Sequence, residues 1–222
     1  MTQSTALIIG ASRGLGLGLG LELASRGWQV IGTTRRAGTL KDDRLVEHVL
    51  DVRDSTQLAA LRNRLDPESV ELLFINAGIL GPKHQSADLV TDGELVDLML
   101  TNVIAPLRIA RQLLRAVKSG GTIAFMSSKM GSVAENHSGD AELYRASKAA
   151  LNSLTRGFHA LLPPERAIKV LTLHPGWVRT DMGGSGATLS IAESTKGLAD
   201  VLEHNDNTAH RFLDYAGNEI PW

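Results

Sequence analysis

Between Phe125 and Asn152 the chain reads FMSSKMGSVAENHSGDAELYRASKAALN. Tyr144 and Lys148 stand four residues apart in a helix-forming run, which puts them on one face. A phenol can hand its proton to a developing alkoxide if its pKa falls from about 10 towards working pH, and a neighbouring ammonium favours that fall. Lys148 supplies the ammonium. Ser127-Ser128 ends the apolar run just before them. This chemistry suits hydride reduction of a carbonyl group. A Tyr/Lys pair at this spacing also occurs on ordinary helix surfaces, so the elements that would position it must be found elsewhere in the chain.

The first such element opens the sequence. Ala6 to Gly20 reads ALIIGASRGLGLGLG, a short apolar strand followed by a glycine-rich turn into a helix. Glycines at 10, 14 and 16 let backbone approach a pyrophosphate, and a helix N-terminus offers unpaired N–H groups and the positive end of its dipole. The cradle comprises Gly10, Ser12, Arg13, Gly14, Leu15 and Gly16. Gly18 and Gly20 fall inside the helix, at ~1 kcal/mol each relative to Ala, and are read as places where helix and sheet pack closely.

The end of the second strand reads Thr33-Thr34-Arg35-Arg36, with no carboxylate to accept a ribose hydroxyl. Arg35, with Arg13 closing from the glycine loop, suits a 2′-phosphate, which favours NADP over NAD; the alternative is two solvated arginines. Asp51-Val52 ends a third strand and Asn76-Ala77-Gly78 a fourth, at the edge where open parallel sheets bind ligands. Pro106 follows Asn102 by four residues, so the Asn102 carbonyl loses its helical partner and a kink is expected. Pro175-Gly176 redirects the chain after a sixth strand, within His174-Pro175-Gly176-Trp177-Val178-Arg179-Thr180.

These motifs, in this order, resemble the short-chain dehydrogenase/reductase family over nearly the whole chain: Gly-x3-Gly-x-Gly, Asn76-Ala77-Gly78, Tyr144-x3-Lys148 and His174-Pro175-Gly176. SSKMGSVAENHSG, YRASKAALN and HPGWVRTDMGG look most like its C-factor-like carbonyl reductase branch. The resemblance implies that Asp51 and Val52 meet adenine and that Asn76, Ala77 and Gly78 pass beside the cofactor. It makes Asn102, Ser128, Tyr144 and Lys148 the catalytic set, with Asn102 holding a water in a proton relay and Ser128 the substrate oxygen. Tyr144 and Lys148 would also touch the cofactor, Lys148 through the nicotinamide ribose, while Pro175, Gly176, the Val178 backbone and Thr180 would flank the carboxamide. Ile9 and Ile75 depart from the Thr and Asn often found there, which questions a polar link between the central strands.

The expected reaction is NADPH-dependent reduction of an aldehyde or ketone, with Tyr144 as proton donor. C-factor is associated with intercellular signalling, so a nucleotide-binding regulatory protein with little turnover is the alternative. A nucleotide-sugar epimerase or dehydratase uses a related pair but usually has a substrate domain for which this chain is short.

The expected architecture is one α/β Rossmann-type domain spanning 1–222, a seven-stranded parallel sheet with helices on both faces. Strands are placed at 5–10, 28–34, 46–50, 71–76, 121–127, 168–173 and 210–214, and helices at 14–26, 55–65, 92–117, 142–161 and 188–203. The connection 32–41 reads as irregular, and 182–190 as a short substrate loop. Glu135, Asn136, His137 and Asp140 would either rim the pocket or form a plain surface loop. A net charge of -1 with mixed signs gives no footprint for nucleic acid, and no apolar run approaches the ~20 residues of a membrane span. There is no cysteine, and the seven histidines show no metal-ligand spacing, so no metal is assigned. A cytoplasmic protein acting on a small carbonyl compound is expected. The helices at 92–117 and 142–161 could pair with a second copy, as homodimer or homotetramer, or stay solvated.

Overall fold

The computed structural model describes residues 3–204 and 208–222. Seven parallel strands form one sheet: β1 (Thr5–Ile9), β2 (Gln29–Thr34), β3 (Leu45–Val49), β4 (Val70–Ile75), β5 (Val117–Met126), β6 (Lys169–His174) and β7 (Arg211–Asp214), in the order β3-β2-β1-β4-β5-β6-β7. This is the Rossmann-type order. The near-continuous apolar runs of β1 and β4 are those of strands covered on both faces.

Alternation along those strands divides the core. Leu7, Ile9, Leu73, Ile75 and Phe125 point to one face, where α2 (Ser55–Arg64), α4 (Ala105–Leu113) and α5 (Glu142–Ala160) pack through Leu58, Leu61, Ile109, Leu113, Leu151 and Phe158. Ala6, Ile8, Leu72, Phe74 and Ala124 point to the other, against Leu19 and Leu23 of α1 (Gly14–Ser25) and Leu198 and Leu202 of α6 (Ile191–Glu203). A Cβ on Gly20 would stand 2.9 Å from Leu45, so this glycine does seat the helix on the sheet. Gly18 instead faces α6, where a Cβ would come within 2.5 Å of Ile191.

Several boundaries differ from expectation, most by one residue, and α6 starts at Ile191 and not at 188, behind its cap Ser190. The segment 92–117 is not one helix: α3 (Asp92–Met99) widens into a π turn over Leu100–Ile104 before α4 begins, and Val117 already belongs to β5. Proline at 106 removes one ladder donor, and the wider turn, in which the Ala105 N–H reaches the Leu100 carbonyl, absorbs the break. The 32–41 connection is irregular, as read, and is organised by Glu47, whose carboxylate accepts from the backbone N–H groups of Gly38, Thr39 and Leu40. Among the described residues no helix is long and apolar enough to cross a membrane.

At the β7 edge, Trp222 packs on His210 and Phe212, with ring centroids 4.7 and 5.3 Å away. Burial pushes His210 down to about 4, with His159 and Arg156 adding to it, and burial likewise pushes His174 to about 4 against the pull of Asp214. Nδ1 of each ring is buried without a partner. Both pKa values lie below the ordinary ~6.5, so between there and pH 4 the unfolded chain binds protons that the native chain refuses. Stability present above pH 6.5 is therefore lost as pH falls, by roughly 2 kcal/mol per histidine at pH 4.5. In urea unfolding, His210→Phe should narrow the gap between pH 7 and pH 4.5; an unchanged gap would remove His210 from this account.

Candidate active site

The glycine turn is pinned from the neighbouring strand. Thr33 at the end of β2 accepts from the Gly10 N–H through its hydroxyl (2.9 Å) and from the Ala11 N–H through its carbonyl (2.8 Å). Gly10 has φ +88°, and a Cβ there would lie 3.0 Å from Ala77. Gly16 is the tightest position, since a Cβ would fall 2.1 Å from the Gly10 carbonyl oxygen. The N-cap of α1 is Arg13, whose side chain makes no capping bond, and the first turn holds no acidic residue. Its leading N–H groups are thus left for an anion.

Ile9 and Ile75 do not leave the central strands unlinked. The Ile9 carbonyl accepts from the Asn76 and Ala77 N–H groups (3.0 and 3.1 Å), and Asn76 Nδ2 donates to the Gly10 carbonyl at 2.9 Å. The side chain of Asn76 makes the polar bridge.

A cleft of about 890 Å³ runs along this edge. Its lining includes Gly10, Ser12, Arg13, Gly14 and Leu15 of the glycine turn, Arg35 after β2, Asp51, Val52, Asn76, Ala77 and Gly78 at strand ends, and Tyr144, Lys148, Pro175 and Thr180. Gly16, Asn102, Ser128, Gly176 and Val178 lie behind that surface. Gly176 turns the chain at φ +81°, against Leu189 and Tyr215. Val178 is paired with Leu189 through its neighbours, Trp177 carbonyl and Arg179 N–H, which directs its own backbone groups to the opposite side; Thr180 Oγ1 lies 3.4 Å from its carbonyl.

Asn102 is fully buried and holds the backbone of Ile79 from both sides: Oδ1 accepts from the Ile79 N–H and Nδ2 donates to the Ile79 carbonyl, each at 2.8 Å. Nδ2 also reaches Ser147 Oγ at 3.1 Å. The two serines part company. Ser127 lines the cleft while its Oγ donates to Asn152 Oδ1 (2.6 Å), whereas Ser128 hydrogen-bonds the Tyr144 phenol and accepts from the Met130 N–H at 3.1 Å.

Tyr144 and Lys148 are 8 % and 3 % exposed, not a surface pair. Lys148 Nζ sits 5.6 Å from the Tyr144 ring centroid and donates to the Met126 carbonyl at 3.0 Å. The expected fall of the phenol pKa is not what this corner produces. Burial pushes Tyr144 up to about 12 in spite of the Ser128 bond, and pushes Lys148 down to about 8. Desolvation of two groups in one dry corner outweighs their mutual effect.

Arg13 also departs from expectation, since its guanidinium pairs with Asp181, 168 residues away. Glu135 pairs with Lys129 and Asp140 with Arg145, and with Asn136 and His137 they lie off the cleft as a surface loop. Sequence reasoning missed Ile79, Leu50, Arg53, Asp97, Thr101, Met126, Arg179, Asp181 and Ile191, all of which border the cleft, as do Met182, Gly184 and Ser185 of the expected substrate loop. The apolar Ile79-Leu80 directly after Gly78 was the available signal for the first; the others are brought in by tertiary structure. Among the described residues no cluster of His, Asp and Glu could hold a metal.

A cleft lined both by a glycine-cradled helix N-terminus and by a buried Tyr/Lys pair beside Ser128 defines a dinucleotide-dependent oxidoreductase site in outline. The model of the short chain dehydrogenase family matches residues 4–188, and the chain belongs to this family, the short-chain dehydrogenases/reductases. Over the full length of both chains it is similar to the solved carbonyl reductase from Pseudomonas aeruginosa PAO1 in complex with NADP, at 40% identity and a TM-score of 0.90. The carbonyl reductase Sniffer of D. melanogaster is similar at 30% identity and a TM-score of 0.88, again with 100% of each chain covered. C-signal of Myxococcus xanthus is 40% identical over 156 residues, which are 69% of this chain and 93% of that protein.

Proposed function

We propose that this chain is an NADP-dependent reductase of aldehydes or ketones, in which Tyr144 gives the proton to the carbonyl oxygen. The observation that carries the reading is the buried Tyr144 phenol, bonded to Ser128 and beside Lys148, in the same cleft that the glycine turn lines. The residues fit a dinucleotide: glycine at 10 and 16 keeps the turn tight, since a Cβ there would collide with Ala77 or with the Gly10 carbonyl, and Arg13 and Arg35 line the cleft, where they would meet a 2′-phosphate. When bound, NADPH supplies the hydride.

The chain's own groups do the rest. Ser128 orients the phenol and the carbonyl oxygen. Tyr144 stays protonated at neutral pH because burial holds its pKa high, which suits a proton donor in the reductive direction. Lys148, held by the Met126 carbonyl, places its charge beside the phenol and stabilises the phenolate that forms. The Val178 backbone and Thr180 would meet the carboxamide, and Asp51 and Val52 the adenine. Asn102 serves through the Ile79 backbone. We read the described chain as one catalytic unit, cytoplasmic, with Leu95, Val96 and Leu154 exposed where a second copy could pack.

A second reading, a nucleotide-binding signalling protein with little turnover, has the likeness to C-signal in its favour. Titration with NADPH and NADH, followed by loss of reduced-nicotinamide absorbance across a panel of aldehydes and ketones, separates them. Preferential NADPH binding with turnover is expected. Binding without turnover on any member would favour the second reading, and binding of neither nucleotide would end both.

A further inference from the structure

We propose that Gln85 is a positioning residue for Tyr144: from the loop after β4 it caps the first turn of α5 through the Tyr144 N–H, and so sets where the phenol stands. The proposal rests on the reading of Tyr144 as proton donor.

The start of α5 cannot cap itself. Its N-cap is Ala141, in the left-handed region at φ +49°, with no side-chain capping bond. A methyl group accepts nothing, so the leading N–H groups need an outside partner. Gln85 provides one from 59 residues earlier, Oε1 accepting from the Tyr144 N–H at 2.9 Å. The other end of the same amide is also engaged: Nε2 donates to the carbonyls of Leu80 (2.9 Å) and Pro82 (2.7 Å). Gln85 itself holds φ +53°, a conformation that a non-glycine residue keeps only where its surroundings over-determine it.

The contact is reciprocated. Glu142, first residue of α5, accepts from the Ala87 N–H at 2.6 Å. A capping box normally joins two residues of one helix start; here its halves are divided between α5 and the loop. A second route returns to the same loop from the far side of Tyr144. The Tyr144 carbonyl accepts from Ser147 Oγ (2.8 Å), which is bonded to Asn102, which brackets Ile79. Both backbone polar groups of Tyr144 therefore lead to 79–87, whose first residue lines the cleft. A capping role alone would hold any residue of the first turn; this one holds the residue that carries the phenol.

The test compares Gln85→Met, which keeps length and loses every hydrogen bond, with Gln85→Glu, which keeps an acceptor for Tyr144 and loses both donors. With NADPH and a carbonyl substrate, Gln85→Met should lower kcat roughly tenfold to hundredfold, the scale of a small misplacement at a reacting centre. KM and the NADPH Kd should stay within about twofold, and Gln85→Glu should lose less. The chain has two tyrosines, so ultraviolet titration against Tyr144→Phe isolates the Tyr144 phenol. Its midpoint should fall towards the ordinary value in Gln85→Met as water enters. Unchanged kcat and midpoint would overturn the proposal, as would kcat, KM, Kd and thermal midpoint all shifting together. If the wild type binds NADPH but turns nothing over, the proton-donor reading fails; the titration midpoint still decides whether Gln85 places the phenol.

Discussion

Tyr144→Phe should lower kcat by roughly 10²–10⁴-fold, the range that a positioned general acid supplies, while the NADPH Kd stays within about twofold. The change deletes one oxygen in a corner that is 8 % exposed and leaves the ring in place. The deleted oxygen is one polar group among the many that line the cleft, so nucleotide binding should change little. Loss of the bond to Ser128 should move stability by only about 1 kcal/mol, since the phenol no longer has to be desolvated either. Rapid mixing of NADPH-loaded protein with an accepted carbonyl compound, read at the reduced-nicotinamide band, checks it. Undiminished turnover would remove Tyr144 from the mechanism.

The second large effect concerns the choice between nucleotides. Arg35→Ala should weaken NADPH roughly 10–100-fold and NADH by no more than a few-fold, because a hydrogen bond to a charged group contributes about 1.5–3 kcal/mol. Arg13→Ala should do less. Its guanidinium is already paired with Asp181, and the two side chains are 73% and 75% exposed, so the pair is worth only about 0–1 kcal/mol and yields to a dianion at a small cost. Calorimetric titration at two salt concentrations measures both, with the NADPH preference shrinking at high salt. Equal weakening of NADPH and NADH by Arg35→Ala would place the 2′-phosphate elsewhere.

What the sequence made legible follows from which interactions are local. Strand runs such as ALII and VELLFI, the glycine turn and the Tyr/Lys spacing depend on near neighbours, and each lies where it was read. The break at Asn102 was visible from Pro106; its π form was not, nor was the early start of β5, because the apolar pattern runs on from helix to strand without a stop signal. Partners across long separations were invisible: Arg13 with Asp181, Asn102 with Ile79, Gln85 with Tyr144. The pKa expectation for Tyr144 considered charge and not desolvation, and burial is a property of the fold alone.

The loop that leaves β6 is closed at its neck. The Leu189 N–H donates to the Trp177 carbonyl (3.0 Å), the Arg179 N–H to the Leu189 carbonyl (2.9 Å), and Arg179 Nη1 holds the carbonyls of Ala187 and Thr188. Immediately beyond it, α6 is seated against α1 at Gly18. Residues 180–188 thus run between two fixed points, and Asp181, paired with Arg13, ties their start to the glycine turn. Since each doubling of a flexible loop costs only about 0.6 kcal/mol, the tip is open to insertion. Gly184 and Ser185 line the cleft, so an insertion at this tip would reshape its wall while the neck and the Arg13–Asp181 pair stay where they are.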